Sequence, residues 1–232
     1  MPSAQAFAEA VQFPDTAFTD SLLAGCTPDL TTLGLPRGIS GAFAIVFRMT
    51  DAMGDAWAAK CFFNPSPDLR GRFSALSARL ADHPVDAVAP FNFLPGGIRV
   101  EGQAWPVLRM PWQSGRSLIS HVQHHLNEPD ALVALASALA ATQRDLEAAG
   151  IAHGDLQHGN ILVDGDALAP RIRLIDLDAA FVPALRKLDS LEAGHRNYAH
   201  PDRGPSDFGP YVDRFTFRVL DASLRALAAR PN

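Results

Sequence analysis

The sequence predicts an α+β fold in two lobes: an antiparallel β-sheet lobe carrying one helix, followed by a short helical lobe. Three observations predict it. Residues 42–110 hold short runs rich in aromatic and β-branched residues, separated by Gly, Pro and Asp turn signals. Residues 117–149 change to helical patterning, rich in alanine and leucine. Between them and a last helical stretch, residues 153–178 concentrate His, Asp and Asn around two apolar runs. With 232 residues, 47% of them hydrophobic, the chain can bury a real core in each of two small lobes. The expected organisation is residues 1–35 as an N-terminal extension packing on the first lobe, 36–112 as that lobe, and 113–232 as a minimal second lobe.

Residues 42–49 and 56–63 read as strands joined by a hairpin turn at Asp51–Gly54. A helix follows, with Ser66 as N-cap, Pro67 at the first helical position and Asp68 at the positive end of the dipole. Leu69, Phe73, Leu76 and Leu80 recur at helical spacing on one face, and Pro84 ends the segment. Residues 91–94 and 97–101 read as separate strands flanking Pro95-Gly96, with a further strand over 104–110. Residues 112–115 form a connector. Residues 117–126 and 129–149 read as helices, the second closed by Gly150 and alanine-rich enough to be buried on most sides. Residues 161–163 and 172–175 form a hairpin around Asp164-Gly165-Asp166, and residues 213–229 a final helix.

Composition excludes several roles. A net charge of -5 gives no basic field for nucleic acid or an anionic membrane surface. Cys26 and Cys61 make neither a disulfide framework nor a C-x-x-C pattern, which fits a reducing, cytoplasmic setting. Residues 1–9 lack the basic-then-apolar order of a signal peptide, and the apolar run 131–141 is too short to span a bilayer. His121, His124 and His125 cluster without the partner spacing of a zinc site, and read as surface or packing residues.

The chemistry concentrates in His153-Gly154-Asp155-Leu156-Gln157-His158-Gly159-Asn160, ahead of the apolar Ile161-Leu162-Val163. It has the form H-x-D-x-x-x-x-N. Asp176 follows inside Leu174-Ile175-Asp176-Leu177-Asp178. An acid and an amide so spaced, each beside a β-like run, suit holding metal ions on a nucleoside triphosphate. With the β-rich first half, this resembles the protein-kinase-like fold, and is similar to bacterial kinase-like proteins with His-Gly-Asp in the catalytic loop. The likeness covers about residues 36–227.

The resemblance implies ATP and Mg2+ as cosubstrate and metal. It assigns Asp155 to the proton of the attacking hydroxyl, and Asn160 and Asp176 to magnesium. It implies a structural His153. Gly154 stands where an arginine usually pairs with a phosphorylated activation loop, so no such switch is expected. Ala58-Ala59-Lys60 matches the strand motif whose lysine binds phosphate oxygens, with Ala58 beside the nucleotide. A buried strand lysine must find an anion, whereas an edge-strand lysine would simply be exposed. Ile39-Ser40-Gly41-Ala42-Phe43-Ala44-Ile45-Val46 falls where kinases place the phosphate-covering hairpin. Ser40 and Gly41 would approach the phosphates, although Ile39 and Ala44 replace two glycines. Met110 would back the adenine pocket, with the Pro111 carbonyl and the Gln113 N–H reading the adenine edge. His200-Pro201-Asp202 falls where kinases have Ala-Pro-Glu, and Asp213 would brace the catalytic loop.

Two departures stand out. The helix over 69–80 has no glutamate to hold Lys60, and Leu177-Asp178 replaces Phe-Gly, so that Asp178 adds a metal ligand or caps the next turn. The resemblance therefore implies an ATP-dependent phosphotransferase, expected to act as a serine/threonine protein kinase with a protein acceptor or partner. The alternatives are a nucleotide-binding pseudokinase scaffold and a small-molecule kinase of the aminoglycoside or choline type.

Overall fold

A computed structural model describes residues 1–191 and 194–230. The chain divides into two compact units, residues 1–71 with 90–112, and residues 72–89 with 113–232. It is an α+β structure with antiparallel sheets and several helices, compatible with a two-lobed kinase-like fold.

The first unit opens with three short helices, α1 (Ala4–Val11), α2 (Pro14–Ala17) and α3 (Ser21–Ala24). Ser3 caps α1 by accepting from the Ala6 N–H, and Asp20 caps α3 by accepting from the Leu23 N–H. Strands β1 (Thr27–Pro28), β2 (Gly38–Ser40), β3 (Ala44–Thr50) and β4 (Ala56–Phe62) follow. In the turn between β3 and β4, the Asp51 carboxylate accepts from the N–H groups of Met53 and Asp55 and from Trp57 Nε1, while Gly54 supplies a φ of +89°. Helix α4 (Leu69–Asp82) begins after the turn at Ser66, whose carbonyl accepts from the Leu69 N–H. Strands β5 (Asn92–Val100) and β6 (Gln103–Pro111) complete a six-stranded sheet of order β1-β3-β4-β6-β5, with β2 also pairing β3.

Phe7, Val11, Phe18 and Leu23 of the N-terminal helices pack into one core with Ile45, Phe47, Met49, Cys61, Ile98 and Val107 of the sheet. Arg109 Nη1 contacts both carboxylate oxygens of Asp20 at 2.8 Å and ties β6 to α3. Burying these side chains, about 1.5–3 kcal/mol each, makes the N-terminal segment part of this unit.

The second unit takes α4 from Arg72 onward, together with β7 (Arg116–Ser117), α5 (Leu118–His124), α6 (Pro129–Ala148), β8 (Ile161–Asp166), β9 (Ala169–Leu174) and α7 (Arg214–Ala229). The sequence reading placed the whole helix after β4 with the sheet. Within the second unit, however, Arg72 Nη2 donates to the Asp189 carbonyl, its guanidinium lies 5.3 Å from the Phe208 ring centroid, and Arg79 Nε donates to the Ala149 carbonyl. Leu69, Phe73 and Leu76 are buried and Leu80 is partly so, as the spacing predicted.

Three further readings need correction. Pro95-Gly96 does not separate two strands: β5 runs through it with a register shift between Leu94 and Ile98, because β6 keeps pairing on both sides. Asp164-Gly165-Asp166 is not the hairpin turn but the end of β8, paired to Arg171, Pro170 and Ala169. Helix α6 buries one broad face, including Leu132, Leu135, Leu139 and Leu146, while Val133, Ser137 and Arg144 stay exposed. Its end is a Schellman motif: Gly150 (φ +63°) donates to Glu147 and Ile151 to Leu146. Among the described residues no helix is long and apolar enough to cross a membrane.

Candidate active site

In the second unit, the loop between α6 and β8 carries the sequence-predicted catalytic residues. Asp213, just before α7, is 5% exposed and does not cap its own helix. Its carboxylate oxygens accept from the backbone N–H groups of His153 and Gly154 instead. Burial pushes the Asp213 carboxyl above its usual range, and the hydrogen bonds from these amides and the Arg203 charge pull it back. His153 is fully buried; Nε2 donates to the Ile175 carbonyl at 2.8 Å, and Nδ1 accepts from the Asp155 N–H at 3.4 Å. Those partners occupy both ring nitrogens, so His153 ties the loop to the residue before Asp176.

Gly154 has φ +83°, and a Cβ there would lie 2.1 Å from the Ala179 carbonyl oxygen. Only glycine fits. Asp155 is partly exposed, and its carboxylate accepts from Asn160 Nδ2 at 3.1 Å and from Gln157 Nε2 at 3.2 Å. Asn160 Nδ2 also donates to the Asp155 carbonyl at 2.8 Å, so Asp155 and Asn160 form one unit. The Ile175 N–H donates to the Asn160 carbonyl, which ties the start of β8 to the residue before Asp176.

Asp176 is exposed and left-handed (φ +66°, ψ +59°), one of two non-glycine residues with positive φ among those described. Such backbone costs about 1 kcal/mol or more. Asp178 sits half-buried in the 3-10 turn Leu177–Ala179 that follows. Asn160 and Asp176 offer an amide and a carboxylate oxygen. That suits magnesium, which takes one or two protein oxygens and fills its octahedron with phosphate and water.

In the first unit, Lys60 lies on β4 between β3 and β6, opposite Val46 and Leu108, and is 6% exposed. The exposed edge-strand alternative is therefore excluded. Its Nζ lies 5.2 Å from the Phe62 ring centroid. Ala58 is buried on the same strand, opposite Met110. Ser40 ends β2 and Gly41 opens the turn to β3, where the Gly41 N–H donates to the Ala44 carbonyl; both residues are exposed. Met110 and Pro111 end β6, and the Trp112 N–H donates to the Ala56 carbonyl. Gln113 is partly exposed and opens the second stretch of chain in the second unit.

Sequence reasoning assigned no role to Gln157 within the catalytic loop, nor to Tyr198 and Arg203, which touch it; Tyr198 Oη lies 2.9 Å from His158 Nδ1. Gln157 reaches Asp155, as above. Arg203 Nη2 donates to the Gly154 carbonyl at 2.6 Å and to Ser190 Oγ at 3.3 Å. A glycine in place of the usual loop arginine was the one signal that could have prompted a search for a guanidinium elsewhere.

The family model described as the lipopolysaccharide kinase (Kdo/WaaP) family matches residues 111–187. That span is about a third of the chain and includes Asp155, Asn160 and Asp176. No curated protein matches the chain. Over this span the chain is similar to a protein-kinase-like family, and its enzymatic class is that of an ATP-dependent phosphotransferase.

Proposed function

We propose that the protein transfers the γ-phosphoryl group of ATP, with magnesium, to a hydroxyl of a saccharide acceptor. The observation that carries the reading is the Asp155–Asn160 pair, hydrogen-bonded on a loop whose backbone is clamped by buried Asp213. A partly exposed carboxylate held in this way suits a group that orients an attacking hydroxyl and takes its proton. The acceptor oxygen bonds to the γ-phosphorus, the bond to the bridging oxygen breaks, ADP leaves, and the proton passes to Asp155. Lys60 supplies positive charge for the phosphates, and Asn160 and Asp176 hold magnesium, which neutralises charge on the transferred group. Ser40 and Gly41 approach the phosphates; Ala58, Met110 and Gln113 bind the adenosine end.

The acceptor class rests on the likeness to a lipopolysaccharide kinase family, which favours a sugar hydroxyl over the protein acceptor expected from sequence. A groove of about 500 Å³ in the second unit, lined by Asp202, Arg203, Asp207, Tyr211, Phe215 and Arg218 among others, sets aromatic faces beside groups of both charges. Such a lining suits the ring faces and hydroxyls of a saccharide.

The test measures ADP release from ATP and Mg2+ with a core oligosaccharide from lipopolysaccharide, with a mixed protein substrate, and with neither. The reading expects stimulation by the saccharide and its loss in Asp155→Asn. Stimulation by protein alone would return the acceptor to the protein class.

A further inference from the structure

Gly154 stands where related kinase loops carry arginine, and its backbone admits no side chain. A guanidinium nevertheless reaches this place. Arg203 Nη2 donates to the Gly154 carbonyl at 2.6 Å and, on its other side, to Ser190 Oγ at 3.3 Å. The peptide plane joining Gly154 to Asp155 is thereby held at both ends. Its carbonyl accepts from Arg203, and its N–H donates to His153 Nδ1. That plane sets where the Asp155 Cα, and hence its carboxylate, sits.

The slot for Arg203 is built. A Cβ on Gly194 (φ +79°) would lie 2.5 Å from Arg203 Nη1, so a side chain there would displace the guanidinium. The Ser190 N–H donates to the Pro205 carbonyl, which closes the segment that delivers both Ser190 and Arg203.

We propose that Arg203 is a positioning residue for Asp155: it reaches from the segment before α7 to the Gly154 carbonyl and fixes that segment to the catalytic loop. The inference rests on the phosphotransferase reading for its kinetic consequence, but its structural consequence can be read independently.

The experiment uses the full chain with Arg203→Ala, Arg203→Lys and Ser190→Ala. It reads hydrogen exchange over residues 153–160, acceptor-free ATP turnover and thermal stability. Arg203→Ala is expected to speed exchange in that peptide but not in α6. It should lower kcat by about 10- to 100-fold while the KM for ATP stays within about two-fold. Arg203→Lys keeps one donor and should fall between Arg203→Ala and wild type; Ser190→Ala should lie near wild type. Wild-type kcat and unchanged loop exchange in Arg203→Ala would overturn the inference. If Arg203→Ala does not fold, Arg203→Lys decides: lowered kcat at a preserved Tm supports the role, and wild-type kcat with unchanged exchange overturns it. If the wild type itself turns over no ATP, the kinase reading fails, and exchange alone then decides the role of Arg203.

Discussion

Asn160 Nδ2 donates to both the carbonyl (2.8 Å) and the carboxylate (3.1 Å) of Asp155. One amide nitrogen thus holds the proposed base at two points. Asp155→Asn should reduce phosphoryl transfer by about 10²- to 10⁴-fold and leave ATP binding intact. Steady-state kinetics with a separate nucleotide-binding titration checks this; unchanged turnover would remove Asp155 from the mechanism.

Asp213→Ala leaves two buried N–H groups without acceptors. A loss of about 2–5 kcal/mol is expected, read by denaturant unfolding. A loss under about 1 kcal/mol would mean that water replaces the carboxylate.

Gly154→Arg would restore the common loop arginine by sequence. The structure expects the opposite of a gain, because any Cβ meets the Ala179 carbonyl. Destabilisation of at least about 2 kcal/mol should follow. A variant as stable as wild type with higher activity would contradict this backbone.

His121 is 4% exposed, and its Nε2 has no hydrogen-bond partner among the described residues. Burial lowers its pKa, helped by His125, Arg116 and His124 and opposed by Glu128. Between the folded value and the unfolded one near 6.5, the unfolded chain binds more protons. This contribution to stability is therefore complete above the unfolded value and is lost as pH falls through the folded one. His121→Phe should flatten the fall in Tm on going from pH 8 to pH 5.5; an equal fall in both proteins would assign the acid sensitivity elsewhere.

Cys61 is fully buried and Cys26 nearly so, and burial raises both thiols. Iodoacetamide at pH 8 should label neither in the native protein and both after denaturation. Rapid native labelling, seen by mass spectrometry, would contradict the packed first core.

Much of this was legible because it was local. The Leu69, Phe73 and Leu76 face follows from helical period, the Asp51–Gly54 turn from its residue types, and the Gly150 cap from position. Local signals also misled where pairing overrode them. Pro95-Gly96 is a turn by composition, yet β6 carries the strand through it. Gly165 (φ +87°) suggests a turn, but β9 pairs across it. Asp213 was legible only through a family pattern. Gly154 signalled a missing guanidinium, but Arg203 itself could not be picked out, because no spacing rule links it to Gly154.

The most direct test of the central claim is thermal stability with ATP, with and without Mg2+, in wild type and Asp176→Ala. A ligand that binds only the folded state adds about 1.4 kcal/mol at ten times its Kd, a rise of about 3–6 °C for a chain of this size. The account predicts that rise in the wild type with magnesium, and its loss without magnesium or in Asp176→Ala. No rise at millimolar ATP, or an equal rise in the variant, would contradict it.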